Sequence, residues 1–136
     1  MRCFLNANIW SYAFVATQDE RKSDIAKGII EGNEVIVSTQ VINEVAVNLI
    51  RQAQFEESNI QRLISSFYLR YQVVEIGREV LLIASDLRFR YRFSFWDSLI
   101  VAAALVAGTK TVYSEDMDNG LLVNDRLRIL NPFQPA

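Results

Sequence analysis

Four side chains stand where folding would bring oxygen atoms together: Asn6, Glu44, Asp97 and Asp116. Asn6 ends the apolar run Cys3-Phe4-Leu5. Glu44 lies in the helical stretch behind Val35-Ile36-Val37. Asp97 opens the most apolar segment of the chain, just after Trp96, and Asp116 follows Thr111-Val112-Tyr113. All occupy strand ends, or early helix turns behind a strand or loop, so a parallel sheet would gather them on one rim. Carboxylates brought together repel, and a cation between them relieves the repulsion. Mg²⁺ or Mn²⁺ in such a set binds a substrate phosphate and generates hydroxide from bound water.

Composition narrows the chemistry further. The chain has no histidine. That excludes Ser-His-Asp and Cys-His catalysis and nearly every zinc enzyme site. Gly28, Gly32, Gly77, Gly108 and Gly120 fit neither a dinucleotide fingerprint nor a P-loop. Carboxylates, amides, hydroxyls, Lys and Arg remain, and carboxylates without histidine favour hard cations. A net charge of −2 makes any basic surface a local one. The lone Cys3 reads as a small core residue and suits a reducing, cytoplasmic compartment.

The elements that must position the acids follow from patterning. With 136 residues, 51% of them hydrophobic, the expectation is a single domain over 1–136 with a proper core. No transmembrane helix and no signal peptide are expected. Strands are predicted at Cys3–Leu5, Val35–Val37, Gln72–Ile76, Thr111–Tyr113 and Arg128–Leu130. A helix starts near Asn8 as its N-cap, after which Thr17–Ser23 is turn-like. A short helix over Asp24–Glu31 ends on Gly32-Asn33 as a left-handed cap. Ser38-Thr39 caps a helix to about Ala53, followed by helices over Glu57–Tyr71, Glu79–Phe89 and Trp96–Ala107. Alternating strands and helices predict an α/β fold, a central parallel sheet of about five short strands with helices on both faces.

Each acid also has an ordinary reading. Asp97 could cap a helix, Asp116 could be a turn residue, and Glu44 could be a solvated helix residue. Glu115, Asp118 and Asp125 read as loop charge. The shared placement of Asn6, Glu44, Asp97 and Asp116 favours a site.

At this point the chain resembles a known family. Phe4-Leu-Asn-Ala-Asn-Ile-Trp-Ser-Tyr12 is similar to the opening of PIN-domain proteins, VapC-type toxins in particular. Ile36-Val-Ser-Thr-Gln-Val-Ile-Asn-Glu44 resembles their second motif. Ser94-Phe-Trp-Asp-Ser-Leu-Ile-Val-Ala-Ala-Ala-Leu105 resembles the third, and Tyr113-Ser-Glu-Asp116 the fourth. Ile129-Leu-Asn-Pro-Phe133 resembles a common ending. The resemblance implies a Mg²⁺- or Mn²⁺-dependent endoribonuclease, homodimeric and silenced by a small antitoxin. It assigns Glu44, Asp97 and Asp116 to the acidic site and Asn8 to the site asparagine. Asn6 departs from it, because the family carries its first catalytic Asp there, and Ala7 replaces the usual Ser or Thr. The amide removes one negative ligand. That leaves either a natural, weakened member or an inactivating substitution in a toxic protein.

Arg88, Arg90 and Arg92 alternate with Phe89, Tyr91, Phe93 and Phe95 just upstream of Asp97. Arg90 and Arg92 are candidate RNA contacts and the aromatics candidate base platforms, against a reading as solvated arginines and core rings. Trp10 and Trp96 read as packing or interface residues. Two other functions compete with the ribonuclease. One is a catalytically inactive RNA- or antitoxin-binding module of the same fold. The other is a receiver-like phosphoacceptor or an aspartate phosphatase: Asn6-Ala7-Asn8 offers the phosphatase no carboxylate, and Lys110 precedes the last main strand where a receiver wants a Lys at its end.

Overall fold

The computed structural model describes residues 1–15 and 19–134. Six strands form one sheet in the order β3-β2-β1-β4-β6-β5. β1 (Arg2–Leu5) is central, parallel to β2 (Glu34–Ser38) on one side and to β4 (Thr111–Tyr113) on the other. β3 (Gln72–Val74) adds in parallel beyond β2, and β6 (Leu127–Leu130) beyond β4. The apolar runs explain the order. Cys3, Phe4, Leu5, Ile36, Val37 and Val112 have no exposed surface, as central strands covered on both faces require.

Helices α1 (Ala7–Phe14), α2 (Glu20–Gly32), α3 (Thr39–Ala53), α4 (Glu57–Arg70), α5 (Arg78–Tyr91) and α6 (Phe95–Val106) cover the two faces. α6 is the most deeply placed, buried from Ser98 through Leu105 and packed on α5, α3, β2 and β4. Among the described residues, no helix is long and apolar enough to cross a membrane.

Several local expectations give way to specific contacts. The first helix is capped by Asn6 instead of Asn8: Asn6 is extended, and its Oδ1 accepts from the Ala7 amide at 2.8 Å. Of the expected turn Thr17–Ser23, Thr17 and Gln18 lie outside the described residues. Glu20–Ser23 is helical, because Asp19 caps α2 through a 3.0 Å bond from the Lys22 amide. α2 does not end on a left-handed residue. Asn33 is extended, and its side-chain amide donates to the Ile29 carbonyl at 2.9 Å, which supplies the partner a left-handed cap would have provided.

The third strand stops at Val74, short of Ile76. The sixth strand is β5 (Leu122–Val123), antiparallel to β6. Asn124 and Asp125 both have positive φ, and the Arg126 amide donates to the Val123 carbonyl at 3.0 Å, the pattern of a type I′ hairpin turn. Two residues are too few to show a strand period, so this edge is invisible to patterning.

Candidate active site

The carboxyl ends of β1, β2 and β4 open on one side of the sheet, and the sequence places a polar residue at or just beyond each. Asn6 follows β1. Ser38 ends β2 and caps α3, which carries Glu44 in its second turn. Ser94 caps α6 by accepting from the Asp97 amide at 3.1 Å, which sets Asp97 in the first turn. Beyond β4, Ser114 and Asp116 lie in the acidic loop. Asn6, Asn8, Gln40, Glu44, Trp96, Asp97 and Asp116 line one cleft of about 500 Å³.

A relay of hydrogen bonds crosses its floor. The Asn6 amide donates to Ser114 Oγ at 3.1 Å, and the Ser114 hydroxyl donates to Asp116 Oδ1 at 2.9 Å. Ser114 is fully buried and Asn6 nearly so. The hydroxyl has one proton, and Asp116 takes it. Ser114 therefore accepts from position 6, a bond the amide donates; a carboxylate there would compete with Asp116 for the one hydroxyl proton.

A second network holds the acidic loop from outside. Glu115 pairs with Lys22 of α2 and accepts from the Tyr12 hydroxyl of α1 at 2.7 Å. The Lys22 ammonium also lies over the Tyr12 and Phe133 rings. The Glu115 amide reaches Asn8 Oδ1 at 3.4 Å, and Asn131 Nδ2 donates to the Glu115 carbonyl at 3.2 Å. Asn8 thus fastens the loop that carries Asp116. Glu115, read from sequence as loop charge, is its anchor, a role that depends on partners 93 and 103 residues away.

The carboxylates affect one another. Burial pushes the Glu44 carboxyl up from its ordinary range. The bond from Gln40 at 2.9 Å partly offsets this, and the Asp97 and Asp116 charges add to it. Asp97 is also raised, by burial first and then by Asp116, against the lowering bond from Ser94. Among the described residues, no three His, Cys, Asp or Glu side chains stand close enough to enclose a metal ion. The donors are all hard oxygens, and Mg²⁺ commonly binds through one or two carboxylates while keeping several waters. The donor set fits a partly hydrated hard cation in an open cleft better than a closed protein cage.

The basic residues separate. Arg90 turns away from the cleft: it pairs with Asp86 at 2.8 Å and donates to Asn124 of the hairpin turn at 2.6 Å. It borders neither of the hollows that Asp97 and Asp116 line, whereas Arg92 borders one. Arg92, with φ of 60°, ends α5 and lines a smaller hollow of about 150 Å³ that Asp97 and Asp116 also border. It is exposed and has no ion-pair partner among the described residues. Arg88 lies over the Phe95 ring and donates to Ser98 Oγ at 2.7 Å, bracing the start of α6. Tyr91 and Phe93 pack against the core, while Phe89 is exposed.

A family model described as the PIN domain matches residues 3–122. No curated protein matches the chain. Among solved structures, a toxin–antitoxin complex from Klebsiella pneumoniae is 16% identical, with a TM-score of 0.72 over 98% of this chain and 99% of that one. Mycobacterium tuberculosis VapC20, described as a sarcin–ricin loop cleaving toxin, is 18% identical, with a TM-score of 0.71 over 85% and 91%. VapBC2 from Rickettsia felis, bound to a promoter DNA fragment, is 16% identical, with a TM-score of 0.65 over 95% and 97%. At these identities the structures share a fold, and the family match covers most of the sequence: this chain belongs to the PIN domain family.

Proposed function

We propose that this chain is the toxin of a toxin–antitoxin pair, a metal-dependent endoribonuclease that cleaves single-stranded or loop RNA and is weakened by Asn6. The observation that carries this reading is the convergence of Asn6, Glu44, Asp97 and Asp116 on one cleft at the strand ends. The relatives described as toxin–antitoxin complexes, and the one described as cleaving an RNA loop, support it. Asp97, Asp116 and Glu44 would hold a partly hydrated Mg²⁺ or Mn²⁺, through its bound waters where a carboxylate stands too far to ligate directly. When bound, the cation supplies a water of lowered pKa and a counter-charge for the phosphate. Asp97 is oriented by Ser94, Asp116 by Ser114 and Glu44 by Gln40. Arg92 offers a phosphate contact on the Asp97–Asp116 side. The proposal includes a homodimer, a small antitoxin partner and a cytoplasmic location.

The test is Asn6→Asp, assayed on single-stranded RNA with Mg²⁺, Mn²⁺ and chelator. A restored charge should raise metal-dependent cleavage at least about tenfold, since ~1.4 kcal/mol of cation affinity is a factor of ten. A variant that cuts no faster, or cuts equally well in chelator, refutes the acidic-site mechanism. One observation favours a second reading, an inactive RNA- or antitoxin-binding module: the relay through Ser114 is satisfied with the amide in place. Under that reading Asn6→Asp destabilises the fold, and divalent cation does not restore it.

A further inference from the structure

Trp96 is the side chain of the cleft whose placement the acidic site does not explain. It precedes Asp97 in the first turn of α6 and lines the same cleft as Glu44, Asp97 and Asp116, yet it is 58% exposed. Trp10, the chain's other tryptophan, is 1% exposed and packs edge-on against Phe67. Leaving an indole in water forfeits its burial, so Trp96 contributes little to folding here.

Its surroundings are nevertheless fixed. Ser94 caps the turn, and the Ser98 hydroxyl donates to the Phe95 carbonyl at 2.5 Å. Arg88 holds Ser98 and covers the Phe95 ring. Phe95 in turn meets Trp96 edge-on, with centroids 5.2 Å apart and planes at 77°. The result is a braced, solvent-facing aromatic surface beside the carboxylates. Arg92 stands unpaired among the described residues on the hollow that shares Asp97 and Asp116.

We infer that Trp96 is a substrate-positioning residue that stacks on an unpaired base of single-stranded RNA and thereby registers the adjacent phosphate against Asp97. The inference rests on the ribonuclease reading. It adds a recognition element that selects unpaired over duplex RNA, because paired bases keep their faces covered by neighbours. Stacking is indifferent to base identity, so Trp96 would confer single-strand preference with little sequence preference. A base is the occupant favoured over a protein, because Trp96 is continuous with the carboxylate cleft and Arg92 supplies the charge that a phosphate backbone requires.

Both tryptophans emit, but Trp10 is buried and only Trp96 is open to a ligand, so a change in emission on RNA binding reports on Trp96. The test titrates this chain, in Mg²⁺, with a short single-stranded RNA and with the same strand in duplex. Single strand should quench the emission and duplex should not. Trp96→Ala should abolish the quench and weaken single-strand binding about tenfold, while Trp96→Phe keeps most of the affinity. The salt slope of binding should be unchanged in Trp96→Ala and reduced by about one in Arg92→Ala. Unchanged affinity in Trp96→Ala, or equal quenching by duplex, overturns the inference. So does emission that shifts with protein concentration without RNA, together with dissociation of an oligomer on Trp96→Ala, which would make this face a protein contact. If Asn6→Asp cleaves RNA while Trp96→Ala binds normally, only the stacking role fails. If Asn6→Asp cleaves nothing under any metal condition, the ribonuclease reading fails as well.

Discussion

Two concavities of similar size and opposite character lie on this protein. One, of about 440 Å³, is enclosed by α1, α2 and α4 and lined by Trp10, Phe14, Phe67 and Tyr71. The other is the carboxylate cleft, of about 500 Å³. In the first, the buried rings Trp10 and Phe67 help the chain fold. Trp10 meets Phe67 at 4.9 Å and Tyr71 at 5.2 Å, both edge-on, an arrangement that adds to area burial. In the second, the acidic side chains oppose folding, since burial and mutual repulsion raise Glu44 and Asp97. Better packing therefore marks the groove that stabilises, while unfavourable electrostatics mark the cleft proposed to act. The same replacement of size or charge should therefore have opposite signs in the two places.

The largest effect should come from the cleft. Asp97→Asn in the Asn6→Asp background should cut metal-dependent cleavage about a hundredfold or more, ~2.7 kcal/mol of transition-state stabilisation. Without divalent cation it should melt higher than its parent. Cleavage assays and thermal melts check both, and a variant that loses activity and stability together would erase the contrast.

Next comes the aromatic groove. Phe67→Ala removes a ring that is almost wholly buried and should destabilise by ~3–5 kcal/mol. Cleavage per folded molecule should stay at the parent value. Urea unfolding with activity measured well below the midpoint separates the two; a specific activity that falls with stability would show the groove and the cleft to be coupled.

A smaller effect is set by pH. Because the folded state raises the Glu44 carboxyl, its contribution to stability is fully present below the unfolded pKa, for which the ordinary value is 4.5, and is lost as pH rises through the folded-state value. Glu44→Gln removes that loss. Without divalent cation, the two proteins should melt together in acid and separate by a few degrees at neutral pH, with the variant higher. A gap that narrows toward neutrality would reverse the assignment.

Glu115→Gln should do least. Its pair with Lys22 is partly exposed, so the expected cost is a small fall in melting temperature. Cleavage in the Asn6→Asp background should fall several-fold as the Asp116 loop loosens. Hydrogen exchange of the Glu115 amide would register the loosening, and exchange at the parent rate would show that the anchor is redundant.

Much of this was readable locally. β1, β2, β4 and β6 are short apolar runs, and the long amphipathic helices α3, α4 and α5 declare their buried stripes. Asn6, Glu44, Asp97 and Asp116 stand at strand ends or in early helix turns, positions legible from those elements. Errors fell where a single cap or turn decides. Asp19 starts α2 several residues early, Asn33 ends it without a left-handed residue, and the Asn124-Asp125 turn creates an edge strand of two residues.

The alternation of elements and the rim beside which the acids lie follow from local pattern, because burial periodicity and chain direction are local properties and parallel strands share one polarity. Which side chains become partners depends on the folded chain. Asn6 donates to Ser114 across 108 residues, a contact no spacing rule contains. Arg90 and Arg92 are two positions apart, yet one is spent on Asp86 and Asn124 while the other faces the acids. Trp10 and Trp96 carry the same indole into opposite environments. Patterning resolves whether a residue lies in a helix or a strand, but exposure and pairing depend on what the remote chain brings alongside.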